Sequence, residues 1–95
     1  MKSIIQDRRK CFRTGRTDNL HEHHVFYGSN RKNSEKYGLK IWLTGTYHNQ
    51  SGRGIHFDRE FDLMIKKIVQ KKAMEHYGWT VEDFIKIFGR NYLED

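Results

Sequence analysis

From Phe57 onward the apolar residues of this chain change period, and that switch divides it into two unlike parts. Phe57, Phe61, Met64, Ile65, Ile68, Val69, Ala73 and Tyr77 recur at spacings of three and four, the period of a helix that buries one side. Lys66, Lys67, Lys71 and Lys72 fall on the polar side, and Gly78 supplies a stop. Thr80 opens a second helix, with Asp83 at the capping-box position and Trp79 and Phe84 placed as a hydrophobic staple. Phe84, Ile85, Ile87, Phe88, Tyr92 and Leu93 give that helix an apolar side, which carries the reading over about 80–93.

Before the switch the pattern is that of strands. "LHEHHVF" (20–26) and "LKIWLT" (39–44) carry the β-branched and aromatic residues that suit a pleated, half-buried surface. Between them "YGSNRKNSEKYG" reads as a basic, mobile loop with one helical turn over 34–37, stopped by Gly38. Ahead of them "DRRKCFRTGRTDN" (7–19) reads as a basic knuckle with turns at Thr14-Gly15 and Asp18-Asn19. The order is knuckle, strand, loop, strand, helix, helix, an α+β chain of 95 residues and one domain.

Composition narrows the function classes. Apolar types make up 36% of the chain, and no apolar run approaches the roughly 20 residues that span a bilayer. The first residues lack the apolar core of a signal peptide, so a cytoplasmic protein with no membrane partner is expected. Cys11 is the only cysteine, which excludes an intramolecular disulfide and a cysteine-built zinc cage. The net charge is +6, and it is unevenly spread. Residues 1–56 hold eleven basic and four acidic side chains, against seven and eight in 57–95. A polyanionic partner would therefore meet the N-terminal half.

That half also holds five of the six histidines. His23, His24, His48 and His56 fall at the junctions of the expected elements. Alternation along a strand sends His23 and His24 to opposite sides, so one can bind a metal while its neighbour does something else. If "NQSGRGI" folds as a turn, His48 and His56 can both face the first strand. Three imidazoles with an open position suit a transition metal, and a further unligated imidazole can take a proton from water. Phosphodiester hydrolysis needs that division of labour, and the basic half supplies attraction for a nucleic-acid backbone.

"LHEHHVF", "KIWLT" and "YHNQSGRGIHFD" together resemble the HNH endonucleases of the His-Me finger (ββα-metal) superfamily, in particular small phage-encoded members. The resemblance covers about residues 10–62 and implies a treble-clef-like ββα-metal core, a two-stranded hairpin packed on a helix, with an additional C-terminal helix. The whole chain would then be a single HNH nuclease-like domain, its core about 10–77 and its last helix about 80–93. In that family the strand ends in a dyad whose first member binds metal and whose second is the general base. The resemblance therefore implies His23, His48 and His56 as ligands and His24 as base, as in colicin-type nucleases. It implies one divalent ion (zinc, nickel, magnesium or manganese) and DNA cleavage to a 5′-phosphate and a 3′-hydroxyl, with host-cell cytoplasm as the location. RNA, a protein partner and a homodimer remain open.

Two departures from the family pattern stand out. Where many relatives carry paired Cys-x-x-Cys knuckles for a structural zinc, this chain reads Cys11-Phe12-Arg13-Thr14 and Thr44-Gly45-Thr46-Tyr47, so packing of Phe12, Trp42 and Tyr47 is expected in its place. No asparagine stands where the family braces its base, and Asn30, Asn33 and Asn49 are the nearby candidates.

Phosphate contacts fall to Arg8, Arg9, Lys10, Arg13 and Arg16 in the knuckle and to Arg53 in the ligand-bearing turn. His21 reads as an exposed bystander, His76 as a favourable charge at a helix C-terminus, and Glu22 as either a ligand-orienting or a solvated carboxylate. The competing class is a non-catalytic, metal-stabilised nucleic-acid-binding module. A helix-turn-helix built from the last two helices fits poorly, because that half is slightly acidic.

Overall fold

The computed structural model describes residues 1–48 and 54–93. Along the chain lie β1 (Leu20–His24), a 3-10 turn (Gly28–Asn30), α1 (Arg31–Tyr37), β2 (Lys40–Thr44), α2 (Gly45–His48), α3 (Arg59–Tyr77) and α4 (Val81–Phe88). β1 and β2 form a two-stranded antiparallel hairpin that packs against α3, with α4 added beyond it. The fold is α+β.

Register decides which side chains meet. Leu20 lies opposite Thr44, His21 opposite Leu43, Glu22 opposite Trp42, His23 opposite Ile41 and His24 opposite Lys40. Because successive side chains point to opposite faces, His21 and His23 share the face of Leu43 and Ile41. Those two aliphatics are fully buried in one cluster with Phe61, Ile65, Val69 and Ala73 of α3. Glu22 and His24 share the other face with Trp42 and Lys40.

The outer edge of β2 is covered by the N-terminal arm. Ile4 N donates to Gly38 O at 2.9 Å, the Ser3 hydroxyl to Lys40 O, and Phe12 N to Trp42 O at 2.7 Å. In return Trp42 N donates to Gln6 Oε1 at 2.8 Å, so the edge has little left to offer another strand. Gly38 is required here twice over. Its φ of 71° is left-handed, and a Cβ at that position would lie 2.5 Å from Lys2 O. Cys11 is buried with its Sγ 3.9 Å from the Thr44 hydroxyl, so the first positions of the two missing cysteine knuckles meet as a thiol and an alcohol. Phe12 and Tyr47 pack against the core, and Trp42 is half-buried beneath the Arg9 guanidinium at 4.6 Å.

Several local expectations need correction. The polar excursion is not a loose loop but the 3-10 turn and α1, held at both ends. The buried Ser34 hydroxyl bonds Phe26 N at 3.0 Å and Phe26 O, while the Asn30 and Asn33 amides donate to Phe88 O and Ile87 O at 2.9 and 3.0 Å. Those are orphan carbonyls at the end of α4, satisfied by side chains from more than 50 residues away. β1 ends at His24, two residues earlier than its apolar pattern suggests, although Val25 N still reaches Leu39 O. Phe57 precedes α3, whose N-cap is Asp58, and is 67% exposed; Met64 is also exposed. Lys66, on the polar side by pattern, is buried because Asp62 Oδ2 lies 2.9 Å from its ammonium and the Tyr27 ring 4.1 Å away.

α4 has the expected Thr80–Asp83 capping box but stops at Phe88, where Gly89 turns left-handed. Tyr92 reaches the core by another route, its N donating to the fully buried Gln70 side chain at 2.7 Å. Among the described residues no helix is long and apolar enough to cross a membrane.

Phe26 joins the hairpin to the C-terminal helices. Its ring meets Phe84, Phe88 and Tyr92 at centroid distances of 5.3, 4.8 and 5.3 Å. Truncation to Ala should cost about 3–5 kcal/mol, a large share of the stability of a small domain. Urea unfolding monitored by tryptophan fluorescence measures it. A loss below about 1 kcal/mol would mean that the aromatic cluster does not tie α4 to the sheet.

Candidate metal centre

The face of β1 that turns inward delivers His23 into the core, where it is 2% exposed. Its Nε2 is buried with no hydrogen-bond partner. His48 ends α2, directly after β2, and His56 lies in the turn that leads into the Asp58 cap of α3. One ring nitrogen from each of His23, His48 and His56 lies within 4.8 Å of the others. His48 Nε2 and His56 Nε2 are 3.3 Å apart, about the spacing of two nitrogens bound at roughly 2.1 Å to one tetrahedral centre. The rings meet edge to face at 5.1–5.2 Å from His23, so no ring stacks across the space between the nitrogens.

The donor set fits a metal ion. A buried imidazole nitrogen without a partner costs free energy, and a cation is the partner that three convergent lone pairs would share. The protonation states agree. Burial, and after it the neighbouring charges of His48, His56 and Lys66, hold His23 down at about 3. Burial, then His56 and His21, hold His48 down at about 4. Both are therefore neutral at physiological pH, the form that ligates metals.

His21 is not a bystander. Its Nδ1 lies 3.0 Å from His48 Nδ1. One of the two must donate and the other accept, so if His48 offers Nε2 to a metal it gives its Nδ1 proton to His21. Strand alternation already put His21 on the side of His23; what the sequence could not supply was how close α2 brings His48.

His24 points the other way, and its Nε2 lies 3.2 Å from Glu35 Oε1. Glu22, His24 and Glu35 form a second group with donor atoms within 4.8 Å of one another. Even so, His24 opens onto the same cleft as the triad. A cleft of about 150 Å³ is lined by Glu22, His23, His24, Tyr27, Arg31, His48 and His56. Both faces of β1 can contribute because, among the described residues, no strand pairs with its other side. Tyr27 closes one wall, its ring 5.1 Å from that of His56 and its hydroxyl donating to Asp62 Oδ2 at 2.9 Å. Burial, then Asp62, push that phenol up to about 12, so it stays protonated.

The basic knuckle is disposed differently. Arg9 lies over Trp42, Arg13 over Tyr47 and Phe61 at 4.9 and 4.4 Å, and Arg16 pairs with Asp18 at 2.9 Å. Arg8 and Arg9 line a groove with Glu22, Lys40 and Trp42 on the face that carries His24, and Lys10 is exposed nearby in sequence. None of the five lines the histidine cleft; the arginine that does is Arg31 of α1. Arg31, Lys32 and Lys36 also flank His24 and Glu35 in an adjoining depression. Arg53 and Asn49 lie outside the described residues. The Asn30 and Asn33 amides donate to the end of α4, and the hydrogen-bond partner of His24 is Glu35.

No protein-family model, curated protein or solved structure matches the chain. Its geometry is that of a small ββα-metal-like fold with clustered histidines able to coordinate a metal ion, consistent with the His-Me finger superfamily in general.

A histidine kept neutral inside a fold makes that fold acid-sensitive. Above an unfolded-state value of about 6.5, His23 is neutral in both states and contributes nothing. As pH falls from there toward about 3, the unfolded chain takes up a proton that the folded chain refuses, and stability drops by up to about 1.4 kcal/mol per pH unit. In metal-free protein, His23→Leu should flatten the dependence of unfolding free energy on pH between 6.5 and 4.5. An unchanged slope would show that His23 is not held neutral.

Proposed function

We propose that the chain is a metal-dependent HNH endonuclease of the small phage type, hydrolysing DNA phosphodiester bonds, with the whole chain as one nuclease domain. One observation carries the reading: a single cleft is lined by His23 from one face of β1 with His48 and His56 beside it, by His24 from the other face, and by Arg31 of α1. A merely structural metal site has no use for a fourth imidazole and an arginine at its mouth.

In this reading His23, His48 and His56 hold one divalent ion, zinc or nickel by imidazole preference or magnesium or manganese by abundance. When bound, that ion supplies Lewis-acid polarisation of the phosphoryl oxygen and neutralises charge at the leaving oxygen. His21 keeps His48 in the ligating tautomer. His24 takes a proton from water, which attacks phosphorus as the 3′ oxygen departs, leaving a 5′-phosphate and a 3′-hydroxyl. Arg31 grips the scissile phosphate, and the groove beside Arg8 and Arg9 guides the flanking backbone.

Supercoiled plasmid and linear single strands, incubated with protein across divalent metals, test this. His24→Ala should keep its metal and lose about 10²- to 10⁴-fold in cleavage rate. Release of metal by that variant, or intact metal-loaded protein that binds nucleic acid without cutting it, would favour the non-catalytic module instead. Arg31→Ala should weaken binding of all sequences alike and reduce the slope of log affinity against log salt by about one. An unchanged slope would remove Arg31 from the phosphate path.

A further inference from the structure

Among the described residues no asparagine bonds His24, yet it is not unsupported. Its Nε2 meets Glu35 Oε1 at 3.2 Å, and the other carboxylate oxygen, Oε2, accepts from Lys40 Nζ at 3.0 Å. The N-terminal ammonium also reaches Oε2, at 2.8 Å. Lys40 stands directly across the ladder from His24 and is only 5% exposed. Its ammonium also lies 3.4 Å from Glu22 Oε2. Glu35 thus bridges two neighbours that the hairpin register sets side by side, Oε1 facing His24 and Oε2 shared by Lys40 and the N-terminal ammonium.

The same atoms admit a second reading, since Glu22, His24 and Glu35 have the composition of a cation site. Lys40 argues against it. Its ammonium lies within 3.4 Å of both carboxylates, so the positive charge such a site would recruit is already built into the chain. A metal would have to expel a buried lysine and leave it unpaired, which is costly.

We propose that Glu35, held in place by Lys40, is the positioning residue that fixes His24 with its proton on Nε2, so that Nδ1 is the atom that accepts a proton from the attacking water. The proposal rests on the nuclease reading above for the identity of that water, but not for the pairing itself. A carboxylate accepts only, so an imidazole nitrogen facing it must carry hydrogen, and the lone pair is left on the other nitrogen. When a water O–H bond breaks, its proton goes to Nδ1 and its oxygen to phosphorus, while the P–O bond to the leaving oxygen breaks and that oxygen takes up a proton from solvent. The imidazolium so formed lies against the Glu35 carboxylate, which stabilises it, and then returns its proton to solvent. Glu35 touches neither substrate nor reacting atoms.

Two measurements decide the matter. Long-range proton–nitrogen NMR on histidine-labelled wild type should show His24 as the Nε2–H tautomer, and Glu35→Leu should abolish that preference. In steady-state cleavage, Glu35→Leu should lower kcat about 10- to 100-fold with KM changed less than about twofold, and with metal affinity by calorimetry unaltered. Glu35→Gln still offers an oxygen to Nε2–H and should recover the tautomer and part of kcat. Lys40→Met, which removes one of the two ammonium groups on Oε2 and leaves the carboxylate, should fall between wild type and Glu35→Leu.

A wild-type His24 found as the Nδ1–H tautomer overturns the proposal, as does an unchanged kcat or a loss confined to KM in Glu35→Leu. If wild type cleaves nothing under any metal, the nuclease reading fails, and the tautomer of His24 still judges the pairing with Glu35. Because that measurement is made on the native chain, it stands even if a variant does not fold.

Discussion

A slip of one residue in the β1–β2 register would exchange the two faces of the hairpin, and the polar contacts around both strand histidines are built on the register as it stands. In the observed pairing His23 faces Ile41 and His24 faces Lys40. One imidazole is therefore carried into an aliphatic core, where it is kept neutral, and the next is set beside a buried ammonium and the carboxylate that holds it. The slipped pairing would put the lysine and the wrong histidine into the core with no partner for either. Burying those charges alone would cost more than a two-stranded sheet can supply.

Such a small sheet needs help on every side, and the chain supplies it from distant segments. The N-terminal arm occupies the outer edge of β2, α3 covers the apolar face, and α1 is stitched to the end of α4 by Asn30 and Asn33. The Cys11–Thr44 contact ties the knuckle to the end of β2. Buried polar groups follow the same economy. Lys66 and Tyr27 both donate to Asp62 Oδ2 beside the histidine cleft, and Gln70 joins Tyr92 N and Asn91 to α3. The cleft can hold four imidazoles and an arginine because these pairings hold its walls.

Much of this is legible in the residue pattern alone. The change of period at Phe57 marks the long helix to within two residues, and the Thr80–Asp83 box marks the start of the last one, because both signals are local. Alternation correctly separated His23 from His24 and put His21 on the side of His23, since it depends only on the pleat. What misled were positions whose environment comes from elsewhere in the chain. Lys66 reads as solvent-facing until Tyr27 and Asp62 surround it, and Phe57 reads as core until the Asp58 cap leaves it outside the helix. The segment from Gly28 to Tyr37 reads as a loop because its stabilising bonds run to Phe26 and to the end of α4.

Composition and pattern by themselves determined an α+β chain with a basic first half, two strands, two main helices and a surplus of histidines at their junctions. These follow from periods of two and 3.6 and from residue chemistry, which need no knowledge of what lies nearby. Only the tertiary structure decided that His48 and His56 converge on His23, that His21 backs His48, that Arg31 and not the knuckle arginines lines the cleft, and that Glu35 takes His24. Each of those contacts joins elements separated by turns and crossovers. The distance between two side chains across such a gap is set by how helices pack on the hairpin, a property no local stretch of sequence contains.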